Sequence, residues 1–97
     1  MKLNNAQKKQ LKALGNPLKA VLTIGKDGIK DDMFINLNQA LVAHELVKVN
    51  ILKTSSITAN EAAILLSSNT KSEIVSIVGR VIVLYKQSDK KLIQLVK

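Results

Sequence analysis

Ninety-seven residues can bury one modest core and leave no room for a second domain of ordinary size, so a single domain over 1–97 is expected. With 46% hydrophobic residues, 23% charged residues, four glycines and one proline, the composition is that of a folded chain and not of a disordered tail. Fifteen Lys plus Arg against seven Asp plus Glu give a net charge of +8 that favours polyanionic partners, and the absence of cysteine excludes disulfides, thiolate metal sites and cysteine nucleophiles.

From Asn4 to Leu14 the spacing predicts a short helix, with Ala6, Leu11 and Leu14 sharing one side and Lys8, Lys9 and Lys12 spread over the remainder. Gly15 and then Pro17 supply its stop, because glycine accepts the left-handed conformation and proline cannot continue a helix. Leu18 to Ile24 is apolar and β-branched, short enough for a buried strand, and is closed by Gly25. Beyond the turn Gly25-Lys26-Asp27-Gly28, the recurrence of Ile29, Met33, Leu37, Ala40 and Leu41 predicts a helix from about Ile29 to Ala43.

Leu46 to Leu52 alternates in the manner of a second strand, with Lys48 and Asn50 on its less buried side. Thr58 and Glu61 have the spacing of a capping box ahead of Ala62, Ala63, Leu65 and Leu66, so a third helix is expected to run to about Asn69. Glu73 to Val78 and Val81 to Lys86 are β-rich runs joined by Gly79-Arg80, glycine first, as a type II′ hairpin prefers. After the polar turn Ser88-Asp89-Lys90-Lys91, residues 92–96 leave an edge strand and a mobile tail open, with 88–97 the segment concerned. The α-β-α-β-α-β-β order predicts an α/β domain with a mixed four-stranded sheet packed by helices.

Little here suits catalysis or metal binding. His44 is the lone histidine, and Asp31-Asp32 falls in the first turn of a helix, where negative charge complements the helix dipole. His44, at a helix end, reads as a structural residue that satisfies terminal carbonyls. No enzyme activity, cofactor, metal or small-molecule substrate is expected.

The N-terminus has no apolar h-region or cleavage site, and no apolar run approaches the roughly 20 residues of a membrane span. The expected protein is cytoplasmic, without a membrane partner.

The Gly25 to Gly28 turn is the more informative feature. A glycine-flanked loop ahead of a helix lets a nucleic-acid backbone approach closely, with helix amides facing phosphate and Lys26 adding a cation. The same glycines also serve any strand-to-helix turn that needs φ > 0. One tyrosine, one phenylalanine and no tryptophan disfavour a reader that stacks bases on aromatic platforms.

Leu11-Lys12-Ala13-Leu14, Pro17-Leu18-Lys19, Ile24-Gly25-Lys26-Asp27-Gly28-Ile29, His44-Glu45-Leu46-Val47-Lys48-Val49, Ile77-Val78-Gly79-Arg80 and Val83-Leu84-Tyr85-Lys86 resemble, in order and spacing, the YhbY-like CRM (chloroplast RNA splicing and ribosome maturation) family. The resemblance spans about residues 3 to 86. It implies a domain similar to the C-terminal domain of bacterial translation initiation factor three, and an RNA-binding role. Stand-alone bacterial members associate with precursors of the large ribosomal subunit, so the implied partner is ribosomal RNA and the implied role ribosome biogenesis. The family's GxxG loop maps onto Gly25, Lys26, Asp27 and Gly28, and the match makes Lys12, Lys19, Lys48, Arg80 and Lys86 candidate RNA contacts. The His44-Glu45-Leu46 stretch reads as structural. Ala20 stands where relatives commonly carry proline, Gly15-Asn16 replaces their alanine-histidine, and the segment from Lys53 to Ser72 matches no family motif. An alternative of a different class is a basic module that docks on an acidic protein.

Overall fold

Asn4 starts the first helix, α1 (Asn5–Gly15): its side chain accepts from the Gln7 amide at 2.8 Å, and Gln7 Oε1 accepts from the Asn4 amide at 3.0 Å. This reciprocal cap satisfies two of the donors that a helix start leaves open. The computed structural model describes residues 2–97. Two helices and four strands follow α1 in the expected order: β1 (Ala20–Ile24), α2 (Asp31–His44), β2 (Leu46–Ile51), α3 (Ala59–Thr70), β3 (Glu73–Val78) and β4 (Val81–Tyr85).

The strands form one mixed sheet in the order β1-β2-β4-β3. β1 and β2 are parallel, joined through α2, whereas β4 is antiparallel to both β2 and β3. The β3–β4 turn has Gly79 at φ 60 while Arg80 keeps a negative φ, as a type II′ hairpin requires. α3 carries the chain past the position of β4, which then inserts between β2 and β3.

Each face of the sheet has its own core. On one, Ile24, Val47, Val49, Ile51, Ile82 and Leu84 pack under Leu37 and Leu41 of α2 and Ala62, Ala63 and Leu66 of α3. On the other, Leu46, Val75, Val83 and Tyr85 pack under Leu3 and Leu11 of the α1 segment. The Thr58–Glu61 box caps α3 as the spacing foretells, with both hydrogen bonds at 3.1 Å.

Three sequence expectations need revision. Gly15 does not adopt a left-handed conformation; it is the last residue of α1, buried against the sheet, where an added Cβ would lie 3.2 Å from Val83 Cγ1. The close approach of helix and strand is what needs glycine here. Leu14, placed with Leu11 by spacing, is half exposed. α2 starts at Asp31 and not Ile29, so Ile29 and Lys30 separate the glycine loop from the helix.

Residues 88–97 form no strand. Ile93 and Leu95 pack on the α1-side core, Gln7 Nε2 donates to the Val96 carbonyl, and Gln10 both donates to the Gln94 carbonyl and accepts from the Val96 amide. The segment lies along α1.

Candidate nucleic-acid interface

Charge is divided between the two faces. α1 carries Lys8, Lys9 and Lys12, all exposed, and no acidic residue. α2 and α3, on the opposite face, carry Asp31, Asp32 and Glu61 and neither lysine nor arginine. Lys2, Lys90, Lys91 and Lys97 are exposed in the segments before α1 and after β4. A positive surface concentrated on one layer attracts a polyanion along that layer and repels it from the other.

The glycine loop sits at one end of the sheet. Leu52 N donates to the Ile24 carbonyl at 2.9 Å and Ile51 N to the Arg80 carbonyl at 2.8 Å, so the Gly25 loop, the chain after β2 and the β3–β4 turn adjoin one another. Lys26 and Arg80 are exposed there. So are Lys30 and Lys53, which sequence reasoning did not single out; Lys30 is close to Lys26 along the chain, whereas Lys53 reaches this end only through the pairing of β1 with β2. The loop itself is a tight turn, closed by Gly28 N on the Gly25 carbonyl at 3.0 Å, with Gly28 at φ 72. Gly25 abuts Leu52 and Gly28 abuts Ser56, so a Cβ at Gly28 would meet the Ser56 hydroxyl at 3.1 Å. Asp27 is exposed and pairs with Lys30 at 3.7 Å, which leaves Lys26 as the turn's unshared charge.

The remaining candidates lie elsewhere. Lys12 is in the last turn of α1, and Lys19 is exposed just before β1. Lys48 Nζ donates to the Asn16 carbonyl at 2.9 Å, which ties β2 to the end of α1 and gives Lys48 a structural task as well. Lys86 follows β4 at the sheet end opposite Arg80, half buried and beside Tyr85 and Lys71 around a cavity of about 270 Å³. The nine candidates therefore form no single cluster: Gly25 to Gly28 with Arg80 mark one end, Lys12, Lys19 and Lys48 surround the close of α1, and Lys86 stands apart.

Glu45 is a residue that spacing alone could not expose. It caps α2 with φ 65, is fully buried, and accepts from the Ser88 amide at 2.8 Å, from the Ser88 hydroxyl and from the Ile93 amide at 2.9 Å. Burial raises its pKa, but the hydrogen bonds from Ser88 and Ile93 outweigh that effect and hold the carboxyl below its ordinary value. Its task is to fasten the chain after β4. Among the described residues no group of three His, Cys, Asp or Glu side chains is placed to hold a metal ion, and no helix is long and apolar enough to cross a membrane.

Comparison with known proteins bears on this arrangement. The family model described as the CRS1 / YhbY (CRM) domain matches residues 3–86. The chain belongs to the CRM domain family. A Bacillus subtilis CRM relative named "Probable RNA-binding protein YqeI" is 35% identical over 86 residues, covering 89% of this chain and 90% of the relative. A Haemophilus influenzae protein named "RNA-binding protein" is 31% identical over 93 residues, covering 96% and 94%. The solution structure of a Staphylococcus aureus protein, described as a candidate RNA binder, superposes with a TM-score of 0.81 at 34% identity, covering 98% of this chain and all of that one.

Proposed function

We propose that this CRM domain binds RNA through phosphate contacts from the α1 layer and the adjoining sheet end, and that its target is ribosomal RNA in a precursor of the large subunit. The observation that carries the reading is the division of charge: lysines without acids on α1, acids without lysines on α2 and α3. Family membership and the names of the relatives point the same way. Lys12, Lys19, Lys26, Lys48, Lys86 and Arg80 supply cations, and the tight turn from Gly25 to Gly28 presents Lys26 at the end of the sheet where Arg80 also lies. The charge of Asp27 is partly offset by its pairing with Lys30. The proposed role is binding, not catalysis; His44 is exposed at the end of α2, and Glu45, beside it in sequence, is committed to Ser88 and Ile93.

Sedimentation of host-cell lysate through sucrose gradients at low and at high salt, with immunodetection of the protein, tests this. Co-migration with large-subunit precursors that is lost at high salt is the expected result, since phosphate contacts release counterions. A protein that stays at the top of the gradient at both salts would remove stable ribosomal association and favour an acidic protein partner. Indifference among structured RNA, duplex DNA and heparin in competition would leave polyanion attraction alone.

A further inference from the structure

The close of α1, the start of β1 and the end of α2 enclose a cavity of about 390 Å³, within the roughly 300–1,000 Å³ typical of small-ligand sites. Its walls are mostly aliphatic. Leu14, Leu18 and Val21, which line it, are 45%, 38% and 45% exposed, so aliphatic surface on its walls stands open to water. The polar groups on the lining are the Lys19 ammonium and the His44 imidazole, and no carboxylate is among them.

The setting is cationic. Lys19 lies on its wall, and Lys48 follows Leu46, another lining residue, on the same face of β2. Lys48 spends one of its three donors on the Asn16 carbonyl. The two aromatic rings of the chain are elsewhere: Phe34 lies with α2 and α3, and Tyr85 is fully buried. A flat heteroaromatic ring can leave water here, between aliphatic walls and an imidazole.

We propose that this cavity receives one unstacked nucleobase of a single-stranded RNA segment, whose flanking phosphates lie on Lys19 and Lys48. A base matches the lining, with apolar faces for Leu14, Leu18 and Val21 and a polar edge for His44 and Lys19. Single-stranded regions are where proteins take up splayed bases, whereas a continuous duplex keeps its bases stacked. Ile93, part of the segment that Glu45 fastens, forms one wall, so the latch shapes the site. This inference rests on the RNA reading above.

The test uses the full chain, labelled with ¹⁵N, and two five-residue probes at low salt: oligoadenylate RNA and a ribose-phosphate strand of equal length without bases. Oligoadenylate is expected to shift the amides of Val21, His44 and Ile93, while the abasic strand shifts only those near Lys19 and Lys48. Leu18→Asn and His44→Ala, both at exposed positions, are expected to weaken oligoadenylate binding about tenfold, the scale of one lost base stack, and to leave abasic binding unchanged. If both strands shift the same amides, or oligoadenylate binds with the cavity amides unmoved, the base site is overturned while RNA binding stands. If neither strand nor structured ribosomal RNA binds, the RNA reading fails and takes this site with it.

Discussion

Glu45 and Ser88 are joined twice, the Glu45 Oε2 atom accepting from both the amide and the hydroxyl of Ser88, while Oε1 takes the Ile93 amide. A fully buried carboxylate is tolerated because each oxygen faces donors. Glu45→Ala should leave those donors buried without partners and cost about 2–4 kcal/mol, read by urea unfolding. The carboxyl sits below its ordinary value of 4.5 in the folded chain, so its stabilisation is present above that value and is lost as pH falls through the lower, folded one. The stability gap between wild type and Glu45→Ala should accordingly be constant from about pH 6 to 8 and shrink below about pH 4. A gap that grew on acidification would contradict the assignment.

Tyr85 presents the opposite case. Its ring is fully buried, and its hydroxyl finds no hydrogen-bond partner among the described residues. Burial, with the Glu45 charge nearby, raises its pKa, so the phenol stays neutral around neutral pH. Tyr85→Phe removes an unpaired polar group and keeps the packing, so thermal unfolding should show unchanged or increased stability, by up to about 1 kcal/mol. A loss larger than that would reveal a partner for the hydroxyl.

Gly28 and Gly79 both have positive φ, at 72 and 60, yet only one is crowded. A Cβ at Gly79 meets nothing within 4 Å, whereas one at Gly28 meets the Ser56 hydroxyl at 3.1 Å. Gly79→Ala should cost the backbone strain alone, about 1–3 kcal/mol, and Gly79→Asn no less, because the first position of a type II′ turn lies outside the left-handed helical region that asparagine tolerates. Gly28→Ala should cost more, and it should also weaken RNA binding by displacing the chain around Ser56. Equal stability losses at the two positions would show that Ser56 yields freely.

Element types and order were legible because each run has its own period and its own stop: alternation in Leu46 to Leu52, the Thr58–Glu61 box, glycine before Arg80. The strand order was not, since nothing local in Val81 to Tyr85 says that it inserts between β2 and β3. Everything that depends on that order stayed hidden with it, including the meeting of Lys53 with Lys26 and of both with Arg80. Gly15 was misread because a close approach and a left-handed turn make the same demand for glycine in sequence. Glu45 could not be singled out, because its donors are 43 and 48 residues away. The lack of lysine on α2 and α3 can be read from their sequences, but that they share a face is a fact of the fold.

The split of candidate contacts between sheet ends yields a direct test of the RNA surface. Lys26 and Arg80 are exposed at the Gly25 end, whereas Lys86 is half buried at the other. If RNA lies across the Gly25 end, Lys26→Gln and Arg80→Gln should each weaken binding at every RNA sequence tried and reduce the slope of log affinity against log salt by roughly one, as expected for one lost phosphate contact. The double variant should lose about the sum of the two effects if each side chain meets its own phosphate. Lys86→Gln, measured in the same titrations, decides how far the strand extends: a matching loss of slope means that the RNA runs the length of the sheet. An unchanged slope confines it to α1 and the Gly25 end, and Lys86 then belongs only to the wall it shares with Tyr85 and Lys71.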